Sequence, residues 1–363
     1  MVASISSLIT ITLISNLSIV AVWIFLRNHK RIHQISISLL LLGVFLIYIR
    51  LMVPFEFTFQ QTIFVKHLLP SLLPFFYHPI HHFHRFTVYV YHVILIIWMV
   101  GIVCFGFRTT LAYIKFKRLL DEEACVNDGV ITYIIKDIED GYGISSKIRV
   151  VQTDIISVPL VFGLFKPKII LPQMELTQKE LHSIILHEVT HYYHHDLWIK
   201  LLVEIISVIY WWNPLLYILK QQIDKVLEIR VDLKATKFMT ESDQLEYLEC
   251  LLKIAKNSAP PQVSDFSLAF DSRNVSVLSQ RFHIVLNHDL KRKFGIKGCF
   301  FAMVIMSVFL FSSFVVIEPY AVDPEVQHET IELKDQKSYL LVDHHGGYDL
   351  YINHRYFGKV KGM

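Results

Sequence analysis

Between residues 187 and 196 the chain reads HEVTHYYHHD, four histidines and two carboxylates in ten positions. Imidazoles and carboxylates are ligands for a divalent cation. His187 and His191 stand four apart, so on a helix their rings project from one face, one turn apart, and can share a Zn2+ ion. Glu188 is rotated about 100° from that face. It is poorly placed as a co-ligand and well placed as a general base toward water polarised by the metal. With 19 histidines in the chain, such a pattern arises by chance in roughly one chain in twenty-five, so its context has to decide.

That context is favourable. Thr177 and Glu180 form a Ser/Thr-x-x-Glu capping box, and Leu181, Ile184, Ile185 and Val189 recur at helical spacing, which places HEVTH well inside a helix. In VLEIRVDLKA (226–235), Glu228 and Asp232 are again four apart on an expected helix. Glu228 completes a His2Glu set, and Asp232 can accept the N–H of a ligating imidazole. A solvated helical face is the alternative for that pair. His194 or His195 could replace Glu228, but their position beside Asp196 near the helix end favours capping. Upstream, KIRVVQTD (147–154) alternates like a strand, and PLVFGLFKPKIILP (159–172) reads as a second strand, interrupted at Gly163 and Pro167. A proline-containing strand suits a sheet edge, and an edge can accept an extended peptide. Val161, Phe162, Gly163 and Leu164 are the candidate substrate strand.

The elements that carry these residues sit in an apolar chain. Of 363 residues, 53% are hydrophobic, and the mean hydropathy of +0.43 is too high for an ordinary soluble enzyme. A net charge of +3 gives no reason to expect direct nucleic-acid binding. Four cysteines without paired spacing read as free thiols. Four runs are expected to span a bilayer: about 4–26, 35–53, 88–107 and 299–317. The first lacks a small-residue cleavage site and reads as a retained span. Lys and Arg flank the runs so that both termini fall outside and 108–298 lies in the cytoplasm. RTTLAYIKFKRLLDEEA (108–124) continues as a helix from the third run. The apolar stretch 197–220 is interrupted by Lys200 and Glu204 and has basic flanks, so it reads as a helix buried in the domain or half-sunk in the inner leaflet. In the outer loop 54–87, His78, His81, His82 and His84 fit an aromatic and basic interfacial stretch better than a metal site. After 318 come an acidic linker and three short strands, SYLLVD, YDLYIN and RYFGKV, with a turn at HHGG.

Four stretches, PLVFGLFKPKIILP, HEVTHYYHHD, WWNPLLY (211–217) and EIRVD (228–232), in this order, resemble the metalloprotease domain of the BlaR/MecR-type antibiotic-sensing signal transducers. The resemblance covers roughly residues 1 to 317. HtpX-like and CAAX-type membrane proteases share the HExxH and ExxxD pattern but are a poorer match to FGLFKPKIILP and WWNP. The resemblance implies four transmembrane helices and a cytoplasmic α+β gluzincin domain. It implies zinc on His187, His191 and Glu228, with Glu188 as base. It also implies an extracellular signal that leads to cleavage of a cytoplasmic transcriptional repressor, expected to be of winged-helix type. Self-cleavage between about 257 and 298 is a further expectation, and a homodimer is left open. One departure stands out: the one serine after 318, Ser338, lacks the Ser-x-x-Lys lysine, so acylation by a β-lactam is not expected there. The other readings are a non-proteolytic transducer with structural zinc and a housekeeping membrane protease.

Overall fold

The computed structural model describes residues 5–26, 37–52, 61–65, 75–83, 86–126, 128–143, 148–257, 275–286, 296–319, 338–342, 348–352 and 355–360. The first half runs α1 (Ile5–Leu26), α2 (Ile37–Met52), β1 (Gln61–Val65), β2 (Pro79–Phe83), β3 (Phe86–Tyr89), α3 (Val90–Glu122) and α4 (Gly129–Tyr142). The site region follows as β4 (Arg149–Thr153), β5 (Leu160–Phe162), β6 (Lys168–Pro172), α5 (Gln178–Tyr193), α6 (Asp196–Ile209), α7 (Pro214–Ala235) and α8 (Glu241–Asn257). The chain continues with α9 (Val275–Leu286), α10 (Ile296–Phe314), β7 (Val315–Pro319), β8 (Ser338–Val342), β9 (Tyr348–Ile352) and β10 (Arg355–Val360).

A helix lies over each of the four apolar runs. Among the described residues, α1 and α3 are long and apolar enough to cross a bilayer, and α2 is a shorter apolar helix. Helix α3 runs unbroken into the charged stretch after 107, as expected from its sequence. The fourth run departs from expectation at its end. Its helix stops at Phe314, and Val315 to Ile317, read as the last turn of a span, are strand. Three β-branched residues in a row favour the extended backbone there. Strand β7 pairs in parallel with β1, and the Ile317 N–H donates to Thr10 Oγ1 of α1 at 2.9 Å.

The stretch 197–220 is not one helix but a hairpin. Asn213 caps α7, its Oδ1 accepting from the Leu215 N–H at 3.1 Å, and Pro214 takes the first helical position, where a missing N–H costs nothing. The two open ends of the hairpin meet, because Arg230 of α7 pairs with Asp196 at the start of α6. The start of α6 and the later turns of α7 therefore lie side by side. The hairpin's tip is held among the apolar helices. Asn213 Nδ2 donates to Asn16 Oδ1 at 2.8 Å, in the middle of α1. The Trp98 indole donates to the Ile209 carbonyl at 2.8 Å, satisfying a carbonyl at the end of α6. The Trp211 indole in turn donates to the Trp98 carbonyl at 3.3 Å. Ile19 and Val22 of α1, Val44 and Ile47 of α2, and Ile206, Leu216 and Leu219 of the hairpin share one buried core.

The second core lies under the helix that carries HEVTH. Ile131, Ile134 and Ile138 of α4, Val150 of β4, Ile169 of β6 and Ile184, Ile185 and Val189 of α5 fill it. The sheet order is β4-β6-β5, with β4 parallel and β5 antiparallel to β6. The single strand expected over 159–172 is thus two strands and a turn. Gly163 sits at φ +98°, and a Cβ there would lie 2.6 Å from the Lys166 carbonyl oxygen, so the reversal requires glycine. At the other end of the chain, β8, β9 and β10 form the expected three-stranded antiparallel sheet. The HHGG turn, 344–347, lies outside the described residues.

Candidate metal centre

Helix α5 begins as its sequence predicts. The Thr177 side chain accepts from the Glu180 N–H, and Glu180 accepts from the Thr177 N–H at 2.7 Å. Glu180 also pairs with Lys253 of α8 at 2.8 Å, which ties the helix start to its neighbour. Two and three turns on, His187 and His191 are buried at 6% and 5% exposure, with ring centroids 4.9 Å apart. Glu188, between them in sequence, is buried as well, at 7%.

Glu228 of α7 faces both imidazoles. Its Oε2 lies 3.4 Å from His187 Nε2 and its Oε1 3.4 Å from His191 Nε2. One ligand atom from each of the three residues lies within 4.8 Å of the others, and among the described residues this is the group arranged to hold a metal ion. The far nitrogens decide whether the donors fit. His191 Nδ1 meets Asp196 Oδ2 at 2.7 Å. A carboxylate only accepts, so that nitrogen carries the proton and Nε2 keeps its lone pair for the site. His187 Nδ1 meets the Tyr247 hydroxyl at 2.7 Å, and that hydroxyl donates to Asp232 Oδ1 at 2.7 Å. With its proton committed to Asp232, the phenol oxygen accepts from His187 Nδ1, and again Nε2 is left with a lone pair. Both tautomers are thereby the metal-binding ones. The donor set fits zinc in a His2Glu arrangement.

The electrostatics agree. Burial works against the Glu228 charge, but Arg281 and the two imidazoles outweigh it and hold the carboxyl well below the usual carboxylate range. Burial first, and then the Asp232 charge, push the Tyr247 phenol well above its ordinary value, so it stays a donor. The Glu228 side chain is the most open of the three donors, 21% exposed against 8% and 6% for the histidines, so the site opens on that side.

The expected residues thus come together, with corrections in the surrounding shell. Asp232 does not take the imidazole proton directly; it stands 3.5 Å from His187 Nδ1 and acts through Tyr247. The carboxylate that does accept directly is Asp196, which in sequence reads only as a neighbour of His194 and His195. Those two histidines are outside the ligand group. His194 is the C-cap of α5, its N–H donating to the Thr190 carbonyl at 3.0 Å, and His195 takes the left-handed conformation at φ +58° that turns the chain into α6. Tyr247 and Arg281 have no motif near them; the one available signal is a charge inside the apolar helical stretch VLSQRFHIVL, which needs a buried partner.

Of the candidate substrate residues, Val161 and Phe162 lie in β5, while Gly163 and Leu164 lie in the turn beyond it. Strand β5 packs against α5, and among the described residues its outer edge has no strand partner. Phe162 stacks on Tyr113 and meets Phe116 edge to face, both on α3, with centroids 5.2 and 5.3 Å away. In the segment between α2 and α3, His81 and His82 lie in the β2–β3 hairpin, where His82 Nδ1 contacts Thr87 Oγ1 at 3.0 Å; His84 is outside the described residues. Cys104, Cys125 and Cys250 are free, as their spacing implies.

The chain is 31% identical over 174 residues to the methicillin resistance mecR1 protein of Staphylococcus aureus, covering 46% of this chain and 29% of that one. It is 23% identical over 180 residues to regulatory protein BlaR1 of Bacillus licheniformis, covering 48% and 30%. It is 25% identical over 224 residues to regulatory protein BlaR1 of Staphylococcus aureus, covering 59% and 38%. The matched stretches span about a third of the length of these relatives. The pattern of the BlaR1 peptidase, family M56, matches residues 6–285 and so takes in both helix pairs that build the site. The resemblance read from the four ordered motifs is borne out: this chain belongs to the BlaR1 peptidase M56 family.

Proposed function

We propose that the chain is an integral-membrane zinc metallopeptidase of regulatory type. In this reading an extracellular signal releases it to hydrolyse a peptide bond in a cytoplasmic substrate, a winged-helix transcriptional repressor. The observation that carries the proposal is the convergence of His187 Nε2, His191 Nε2 and Glu228 while both Nδ1 atoms are tied to Asp196 and Tyr247. A bound zinc supplies Lewis acidity, polarising a carbonyl and bringing water within reach of ionisation near neutral pH. The Glu188 carboxylate would take a proton from the attacking water as its oxygen adds to the scissile carbonyl, and would give that proton to the amine nitrogen as the C–N bond breaks. An extended substrate adds to the outer edge of β5, next to α5, with Val161 and Phe162 setting its register. Four membrane spans, with both termini outside, place this chemistry in the cytoplasm.

Co-expression of the wild type or Glu188→Gln with the candidate repressor, followed by immunoblotting, tests this. Loss of intact repressor with the wild type and its persistence with Glu188→Gln is expected. Equal loss with both would assign the cut to another protease.

A further inference from the structure

Arg281 is the residue of the site that the proposed chemistry leaves without a task. It comes from α9, far in sequence from HEVTH, and is buried at 5% exposure. Its guanidinium forks onto Asp232, Nε to Oδ2 at 2.7 Å and Nη2 to Oδ1 at 2.8 Å. Its third nitrogen, Nη1, reaches Glu228 Oε2 at 3.2 Å. One planar cation thus spans two carboxylates one turn apart on α7 and fixes both their orientations. A lysine, a single point charge, cannot form such a fork.

Two features argue that this is more than a structural ion pair. The first is what the carboxylates do. Asp232 orients Tyr247 and through it His187, and Glu228 is a candidate ligand, so the fork acts on two of the three donors at once. The second is charge. Arg281 is the cation that faces both Glu228 and Asp232, at 3.2 and 2.7 Å. Asp196 is matched separately by Arg230. Helix α9 is itself firmly seated, with Ile284 in the core it shares with the α6–α7 hairpin and Val285 in the core of α8. Part of the interval over which self-cleavage is expected, 257–298, is therefore a packed helix that contributes to the site; 258–274 and 287–295 lie outside the described residues.

We infer that Arg281 is a positioning residue of the metal centre, which holds Glu228 directly and His187 through Asp232 and Tyr247 in the geometry that grips the metal. The inference rests on the metal site proposed above, but its test uses zinc alone and no peptide. The zinc dissociation constant of the purified full chain in detergent is measured by competition with a chromogenic chelator, together with the thermal midpoint of the metal-free protein. Arg281→Met is expected to raise the constant about 10–100-fold, the usual cost of removing a group that orients metal ligands. Loss of a nearby cation would by itself tighten zinc binding, so weakening is the mark of lost geometry. Should Arg281→Met fail to fold, Arg281→Lys, which keeps the charge but not the fork, takes its place, with a raised constant again expected. A zinc constant at or below that of wild type in either folded variant overturns the inference, even if the midpoint falls, because a purely structural role lowers the midpoint alone. A wild type that binds zinc but cleaves nothing would count against the proposed function and leave this result standing.

Discussion

The sharpest consequence of the geometry concerns Asp196. The His191 Nδ1–H donates to Asp196 Oδ2 at 2.7 Å, the carboxylate is 0% exposed, and its other oxygen pairs with Arg230. In Asp196→Asn the volume is kept and the charge is lost. An amide can offer its oxygen to only one side. If it accepts from His191, its NH2 faces the Arg230 guanidinium, donor against donor. If it turns, His191 loses its acceptor and is free to take the tautomer that blocks the site. A hydrogen bond to a charged group is worth about 1.5–3 kcal/mol, and a neutral one about 0.5–1.5. That difference, about 1–1.5 kcal/mol, acts on the ligand's orientation and basicity, so zinc binding should weaken by about 5–13-fold, near the lower end of the usual cost of losing such a partner. Chelator competition on the purified protein reads this directly, with circular dichroism to show that the helices remain. A folded Asp196→Asn chain with a zinc constant within about twofold of wild type would refute the claim that Asp196 sets the His191 tautomer.

Three further outcomes are expected. A Cβ at Gly101 would collide with the Trp211 indole, so Gly101→Leu should cost about 1–3 kcal/mol or more by overpacking. Its lowered thermal midpoint should recover in part when Trp211→Ala is added, and no recovery would mean that the hairpin tip does not rest on α3. Burial raises the Glu180 pKa, but Lys253 and the Thr177 N–H outweigh it and hold it below 4.5; its stabilisation is therefore present above that value and lost as pH falls through the lower folded one. The stability gap between wild type and Glu180→Gln should close as the solution is acidified, and a gap that widens would reverse the assigned sign. Reporter fusions at about 140 and about 340 should report opposite sides of the membrane, and the same side for both would mean an odd number of crossings has been miscounted.

What the sequence made legible, and what it hid, follows from range. The i, i+4 pairs, the Thr177–Glu180 box and the alternation of KIRVVQTD are local patterns set by helix and strand periods, and each lies where it is expected. The hairpin within 197–220 was signalled by Asn213–Pro214, a strong turn dipeptide, but its high apolarity favoured a continuous helix. The break at Gly163 was legible as an interruption of PLVFGLFKPKIILP, but not that it folds the stretch into two antiparallel strands. Tyr247 and Arg281 were out of reach for another reason. Each meets its partner only because α5, α7, α8 and α9 converge, Arg281 across 49 residues and Tyr247 across 60, and no local period encodes that meeting. Asp196 is only five residues from His191, but their contact depends on the left-handed turn at His195, which no helical period signals.

The central claim is that His187, His191 and Glu228 hold a catalytic metal served by Glu188. The most direct test measures zinc content and hydrolysis of a mixed library of extended peptides side by side in purified wild type and Glu188→Gln. About one zinc per chain is expected in both, with hydrolysis in the wild type and a fall of at least about a hundredfold in Glu188→Gln. A wild type that holds no zinc, or a Glu188→Gln chain that cleaves as fast as wild type, would contradict it.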